Sequence, residues 1–299
     1  MKMSMVFLAV VLLTVACRDD QPGWTLVAGG YEFPEGPAWD GEKALYVSNC
    51  RGDWIGRIEG DVSQVFLRRQ DPATGFHTTN GLTVGRQGFI YACDFGIGAI
   101  LRLAPTGESE IIAGGFQGER FRRPNDLAFD PQGNLYFSDP NRYGAEEPDG
   151  VVYRIDRLDR QVTPAATGLD FPNGLAFSAD GRQLFVCESG KQRILVFDLG
   201  DDGELTNQRV FAELPGGDPD GINFDLQGNL YVAHFGGGAV IVLAPDGSVR
   251  RVIPAPGKKP SNVEFGNSDR KTLYVTEVET NSVYSIRVPV AGLPLLQGF

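Results

Sequence analysis

The amino-acid sequence predicts an all-β fold, a six-bladed β-propeller. One short phrase occurs six times, as FPEGPAW, TTNGLTV, RPNDLAF, FPNGLAF, DPDGINF and KPSNVEF. A fixed position in it is always polar, and the intervals between these positions are 45, 45, 48, 47 and 41 residues. Such intervals match the length of one four-stranded propeller blade. The 39 glycines and 19 prolines are spread along the chain, as expected for many short strands joined by turns.

Each repeat contains the strands of a blade in order. Apolar residues alternate after the polar position, as at Leu127 and Phe129, which indicates a strand with one buried face. Turn sequences such as DPQGN and DLQGN follow, and then strand-like runs such as LYFSD and LYVAH. Segments such as GVVYRIDRLDR predict the third and fourth strands. Residues 24–29 have strand character but precede the first phrase, so we expect them to pair with the last blade and close the ring.

The N-terminus predicts export. Lys2 and the apolar stretch that follows it predict a signal peptide at 1–16, a short linker at 17–23 and a single propeller at 24–299. The small residues before Cys17 resemble a bacterial lipobox, after which Cys17 would be lipidated; simple cleavage is the alternative. We therefore expect a location in the periplasm or cell envelope, with an inner-membrane lipoprotein as the anchored form. A lipid at Cys17 would be its means of membrane attachment.

Charge and cysteine content exclude several classes of partner. The net charge is −11, with scattered acids and no run of Lys or Arg, which argues against nucleic-acid binding. Cys50, Cys93 and Cys187 have no CxxC spacing, so they predict no zinc site. Cys93 and Cys187 fit small packing positions. A disulfide between Cys50 and Cys93 is an alternative in an oxidising compartment. The sequence predicts no oligomeric state.

The six polar positions predict a metal-binding channel. In order they are Glu35, Asn80, Asn125, Asn173, Asp220 and Ser261. A single Asn before Gly is commonly a turn residue, but equivalent positions on the inner strands of a propeller all face one axis. Two carboxylates among amide oxygens form a hard-oxygen site, for which a divalent cation, and calcium first, is the best fit. Such an ion would also let both acids ionise side by side.

These phrases resemble a known family. FPEGPAW, RRPNDLAFDPQGNLYFSDP, FPNGLAFSADGRQLFV and DPDGINFDLQGNLYVAHFGGG are similar to the senescence-marker-protein/gluconolactonase/luciferin-regenerating-enzyme family, and in particular to its bacterial gluconolactonase-like members. The likeness extends over about residues 30 to 285, in the same order and spacing. It implies a six-bladed propeller with one divalent ion, usually calcium, at the top of the central tunnel.

The resemblance also implies roles for individual residues. The metal ligands would be Glu35, Asn173 and Asp220, with Asn125 as a fourth, and Arg123 and Asn125 would contact substrate. Asn80 matches a family position and would support an oxyanion or a substrate hydroxyl. Asp220 would act as the general base towards water or, as the alternative, attack the carbonyl carbon itself.

The leading hypothesis is a calcium-dependent hydrolase that opens a lactone ring, with sugar lactones as one candidate class. The rivals are another ester or phosphotriester hydrolase on the same scaffold, and a non-catalytic propeller that binds a ligand or protein in the cell envelope. His77 precedes Asn80 by three residues. It is either an exposed loop residue or a contact that moves protons or holds substrate at the channel mouth.

Overall fold

A computed structural model describes residues 23–69, 76–294, 296 and 298–299. The predicted signal peptide at 1–16, Cys17 and most of the predicted linker lie outside these residues. In the described part, the chain forms six antiparallel four-stranded sheets. This arrangement confirms the predicted six-bladed propeller.

The strands fall into four concentric sets. The innermost strands each start within two residues of a polar position. They are β2 (Pro34–Trp39), β6 (Thr79–Val84), β10 (Leu127–Phe129), β14 (Pro172–Phe177), β18 (Asp218–Phe224) and β22 (Pro260–Gly266). The second set comprises β3 (Ala44–Asn49), β7 (Ile90–Asp94), β11 (Leu135–Asp139), β15 (Gln183–Glu188), β19 (Leu230–Phe235) and β23 (Thr272–Glu277). The innermost strands of neighbouring sheets contact one another around the ring.

The outer half of each blade matches the predicted third and fourth strands. The third set comprises β4 (Trp54–Glu59), β8 (Ala99–Leu103), β12 (Gly150–Ile155), β16 (Arg193–Leu199), β20 (Ala239–Leu243) and β24 (Ser282–Arg287). The outermost set comprises β1 (Thr25–Gly29), β5 (Val62–Arg68), β9 (Ser109–Ala113), β13 (Val162–Leu169), β17 (Leu205–Glu213) and β21 (Val249–Pro254). Two single 3₁₀ turns lie at Arg86–Gly88 and Ser189–Lys191.

The first strand closes the ring as predicted. β1 pairs antiparallel with β24, so that Thr25 faces Ser285 and Leu26 faces Tyr284. The last sheet therefore contains one strand from the start of the chain and three from its end. This pairing covers the edge that β24 would otherwise expose.

Apolar side chains fill the space between neighbouring sheets. The tyrosines of the second strands are buried there, and so, as predicted, are Cys93 and Cys187. Cys50, Cys93 and Cys187 are free thiols, so the disulfide between Cys50 and Cys93 does not form in this structure. No helix in the described residues is long and apolar enough to cross a membrane.

Glycines beside the polar positions let the inner strands approach the axis closely. Gly36 has a left-handed backbone (φ 48°), and a Cβ there would collide with the carbonyl oxygen of Asn80 in the next blade. A Cβ on Gly174 would likewise collide with the carbonyl oxygen of Asp220. The glycine in these phrases is thus required for contact between blades, in addition to its freedom at turns.

Candidate active site

A cavity of about 360 Å³ lies at one end of the central channel, where the innermost strands begin. This volume is within the usual range for small-molecule pockets. Five of the six predicted polar positions line it: Glu35, Asn80, Asn125, Asn173 and Asp220. The sixth, Ser261, is fully buried and donates instead to the carbonyl oxygen of Pro34, 2.9 Å away. The channel axis therefore gathers side chains from five blades into one site.

Irregular strand pairing aims these side chains into the cavity. The register of β2 with β3 shifts between Glu35 and Ala38, and the pairing of β18 with β19 shifts between Pro219 and Ile222. Such bulges redirect a side chain from the sheet face. Glu35 and Asp220 thereby reach the axis, while the rest of each strand keeps its alternating contacts with neighbouring blades.

The two acids are buried, and the charge of Glu35 acts on Asp220. Burial raises the pKa of Glu35 to about 8, while the Gly36 N–H, 3.2 Å from Oε2, lowers it. Burial also raises the pKa of Asp220 well above its usual value, and the nearby Glu35 carboxylate raises it further. The Asn173 amide, which hydrogen-bonds the Asp220 carboxylate, acts in the opposite direction. In the metal-free protein the pair therefore retains protons that an exposed pair would lose.

The donor set suits a hard divalent cation. Two carboxylates and the amide oxygens of Asn125 and Asn173 can supply the oxygen ligands that calcium prefers. A cation at this point would offset the cost of burying two negative charges. Within residues 23–69, 76–294, 296 and 298–299, no three His, Cys, Asp or Glu side chains converge as a metal site, so the amides are needed to complete a ligand set here.

Among the described residues predicted to bind substrate, Arg123, Asn80 and Asn125 line the cavity and His77 does not. The backbone of Arg123 is fixed because its N–H donates to Asp139 Oδ1 at 2.6 Å. His77 is not among the described residues that line the cavity. Its ring contacts Arg69 Nη1 at 2.9 Å and Thr78 Oγ1 at 3.0 Å, and its backbone N–H donates to Asp94. Its predicted role in substrate binding thus remains a prediction.

Aromatic residues around the cavity were missed from the sequence. They are Phe33, Phe95, Tyr143, Phe171 and Phe235. Phe33 and Phe171 have left-handed backbones, with φ of 70° and 54°, a conformation that is costly for residues with bulky side chains. Each stands before Pro in an FP phrase, which was the available sequence signal. The rings give the mouth of the polar site an apolar wall.

Cys50, Arg51 and Asp218 also line the cavity without having been predicted as site residues. Burial raises the pKa of the Cys50 thiol well above its usual value, and the charge of Glu35 raises it further, against the opposing effect of Arg51. Cys50 is therefore a neutral thiol here. Asp218 accepts a hydrogen bond from the Tyr143 hydroxyl at 2.9 Å. Cys50 and Arg51 lie in the turn after β3, and Asp218 is the first residue of β18. No repeat pattern specifies the side-chain directions at these positions.

A second polar compartment lies further along the channel. Asp126, Asn223, Asn262 and Glu264 line a separate cavity of about 100 Å³, which C-terminal residues including Leu293 also line. The Asn223 amide donates to Glu264 Oε1 at 3.2 Å, and the Phe265 N–H donates to the same atom at 2.7 Å. The channel therefore buries further acids beyond the pair at its mouth.

The model of the SMP-30/Gluconolactonase/LRE-like region matches residues 33–279. The chain belongs to this family. A gluconolactonase from Zymomonas mobilis is 31% identical over 300 residues, covering 89% of this chain and 82% of that protein. The diisopropyl-fluorophosphatase of Loligo vulgaris is 29% identical over 294 residues, covering 88% and 91%. The solved structure of a Xanthomonas campestris gluconolactonase has a TM-score of 0.78 and 30% identity, covering 89% of each chain.

Proposed function

We propose that the protein is a calcium-dependent lactonase whose reaction takes place in the cavity at the channel mouth. The gluconolactonase relatives, aligned over most of the chain, make it a lactonase-type hydrolase. The observation that carries the finer proposal is the convergence of Glu35 and Asp220 with two amide side chains in one open cavity. Glu35, Asn125, Asn173 and Asp220 would hold the ion.

The residues of the cavity have different roles in the proposed lactone hydrolysis. When bound, calcium supplies a Lewis acid that polarises the lactone carbonyl and favours the developing oxyanion. Asp220 takes a proton from water as the water oxygen bonds to the carbonyl carbon. The ester C–O bond then breaks, and the proton passes to the leaving oxygen, which yields a hydroxy acid. Asn80 and Arg123 line the same cavity and would hydrogen-bond the substrate oxygens.

Glucono-1,5-lactone provides the first assay. Treatment with a chelator should abolish its hydrolysis, and added calcium should restore it. Asp220→Asn should lower kcat/KM by about 10²- to 10⁴-fold, the usual contribution of a positioned base. Asp201→Asn is the matched control, because Asp201 is exposed on the turn after β16 and lies outside the cavity. Full activity in both the chelated protein and folded Asp220→Asn would refute the proposal.

Phosphotriester hydrolysis is a second candidate. Two observations favour it: the diisopropyl-fluorophosphatase relative aligns with most of the chain, and aromatic rings form much of the cavity wall. Diisopropyl fluorophosphate should therefore be assayed beside the lactone under the same metal conditions. Hydrolysis of the phosphorus substrate alone would replace the lactonase proposal with this one.

We also propose that the chain is exported and lipidated at Cys17. The apolar N-terminal stretch and the small residues before Cys17 support this proposal. Expression of the full chain in a Gram-negative host, followed by fractionation, provides the test. The wild type should enter the membrane fraction and carry lipid by mass spectrometry, whereas Cys17→Ser should not. An unmodified Cys17 in soluble protein would refute anchoring.

A further inference from the structure

Two guanidinium groups line the cavity without a carboxylate partner in the part of the chain that the structure describes. Arg51 belongs to the turn after β3, and Arg123 precedes β10. Both side chains are exposed at the mouth. Among the described residues, neither forms an ion pair, whereas nine other arginines do. Their charge is therefore available to a ligand.

Main-chain hydrogen bonds fix the backbone of both arginines. The Arg51 N–H donates to the Glu32 carbonyl oxygen at 2.9 Å, and the Cys50 N–H donates to the Phe33 carbonyl oxygen at 2.9 Å. On the other side, the Asp139 carboxylate accepts from the Arg123 N–H at 2.6 Å. Because these bonds use main-chain groups, they position both arginines without neutralising the side chains.

Aromatic packing orients Arg51. Its guanidinium carbon lies 4.9 Å from the centre of the Phe33 ring, and Phe33 stacks on Phe235 with 6.3 Å between ring centres. A guanidinium on an aromatic face is held in place and keeps its N–H groups free at the edge. That edge can donate two parallel hydrogen bonds to a carboxylate. Arg51 is thus held for an oxyanion that none of the described residues supplies.

The charges of the cavity also favour an anionic ligand. Among the described residues that line it, the acids are Glu35, Asp218 and Asp220, and the bases are Arg51 and Arg123. A divalent cation held by Glu35 and Asp220 would leave the cavity with a net positive charge of one. Asp218 is already occupied by the Tyr143 hydroxyl. A neutral sugar lactone would leave this positive charge unpaired, whereas a lactone with one carboxylate would match it.

We propose that Arg51, together with Arg123, forms an anion subsite at the mouth and makes the enzyme specific for lactones that carry an oxyanion substituent such as a carboxylate. This inference rests on the proposed lactonase function. Arg51 is the specificity-determining residue, since Arg123 would also serve a neutral substrate by binding its hydroxyl groups. The substituent binds beside the aromatic wall, with the lactone carbonyl directed towards Asp220.

The test compares two lactones that differ at one carbon. Glucaro-1,4-lactone carries a carboxylate at C6, where glucono-1,4-lactone has a hydroxymethyl group. The wild type should show at least a tenfold higher kcat/KM for the charged lactone. Arg51→Gln should reduce this preference at least tenfold, chiefly through KM, and Arg51→Lys should restore part of it. Raising the ionic strength should weaken the preference as well.

Arg122→Gln is the matched control, because it removes the same charge from the neighbour of Arg123. The Arg122 side chain is exposed and lies 3.8 Å from Asp149, and it does not line the cavity. Its preference should stay within twofold of the wild type. An equal change in Arg122→Gln and Arg51→Gln, or no change in Arg51→Gln, would overturn the subsite.

Other outcomes separate the subsite from the proposed function. A wild type that hydrolyses only glucono-1,4-lactone refutes the anion subsite and leaves the lactonase proposal intact. A wild type that hydrolyses neither lactone counts against the proposed function, and calorimetric binding of glucaro-1,4-lactone to the calcium-loaded protein then decides the subsite. Weaker binding by Arg51→Gln supports it; no binding by the wild type, or equal binding by both, overturns it.

Discussion

Replacing Glu264 with glutamine should make the metal-free protein less sensitive to alkaline pH. Burial raises the pKa of Glu264 to about 8, the Phe265 N–H lowers it, and the charge of Asp126 raises it. Because the folded-state pKa exceeds the ordinary value of 4.5, the folded state holds a proton that the unfolded state loses between these values. Stability from this group is thus fully present below pH 4.5 and is lost as the pH rises through 8.

The size of the effect follows from the pKa difference. Each unit corresponds to about 1.4 kcal/mol, so the free energy of unfolding should fall by about 1.4 kcal/mol per pH unit through this group. Glutamine does not titrate, and its side-chain oxygen can still accept from Phe265 and Asn223. The free energy of unfolding of Glu264→Gln, relative to that of the wild type, should therefore rise by on the order of 5 kcal/mol between about pH 4.5 and 8. Burial raises the pKa of Asp126 to about 7, so the stability of the variant should still depend on pH through Asp126.

Urea unfolding in chelator at pH 5, 7 and 9 measures this gain. Glu42→Gln is the control, because Glu42 is exposed on the turn between β2 and β3. Its unfolding free energy should follow that of the wild type at each pH. A Glu264→Gln variant with the same pH slope as the wild type would refute the buried, protonated state of Glu264 in the folded metal-free protein.

Three further predictions concern the packing of the channel and its ion. Gly174→Ala should lower the free energy of unfolding in urea by at least about 2 kcal/mol, because its Cβ would collide with the Asp220 carbonyl oxygen. Gly114→Ala is the control and should leave this free energy nearly unchanged, since its Cβ would lie 3.7 Å from the nearest neighbouring atom. Equal losses of stability in the two variants would contradict the prediction. Calcium should raise the melting temperature of the chelated wild type more than that of Asp220→Asn, and equal shifts would count against Asp220 as a ligand. Phe299→Ala should lower the free energy of unfolding by about 2 to 4 kcal/mol, because the Phe299 ring packs edge-on against the buried rings of Tyr91 and Phe129, with 5.6 and 5.8 Å between ring centres. An unchanged stability would show that this contact is dispensable.

Local pattern was enough to predict the blades. Alternating apolar residues and turn sequences repeat at blade length, and each predicted strand such as β11 or β19 pairs with its sequence neighbours. Hairpin pairing is local, so a repeated local signal specifies it. The closing role of residues 24–29 was also predictable, because an unpaired strand at one end of the chain complements an incomplete blade at the other.

The candidate site was predictable only where it follows the repeat. Glu35, Asn80, Asn125, Asn173 and Asp220 share one register position, and ring closure brings that position to the axis. Ser261 shares the position as well, yet its hydroxyl turns to the Pro34 carbonyl oxygen. The repeat thus gives the place of a residue, while its direction depends on the polar partners that the neighbouring blade presents.

By itself, the sequence determined the number of blades, the order of their strands and the two acids of the channel, because each of these is encoded within one repeat or by departure from it. Only the tertiary structure decided that Phe33, Phe171 and Arg51 share a cavity with those acids. These residues come from segments before and between strands of different blades, and no periodic pattern specifies them. Their distances depend on how six twisted sheets close into a ring, which is a property of the whole chain.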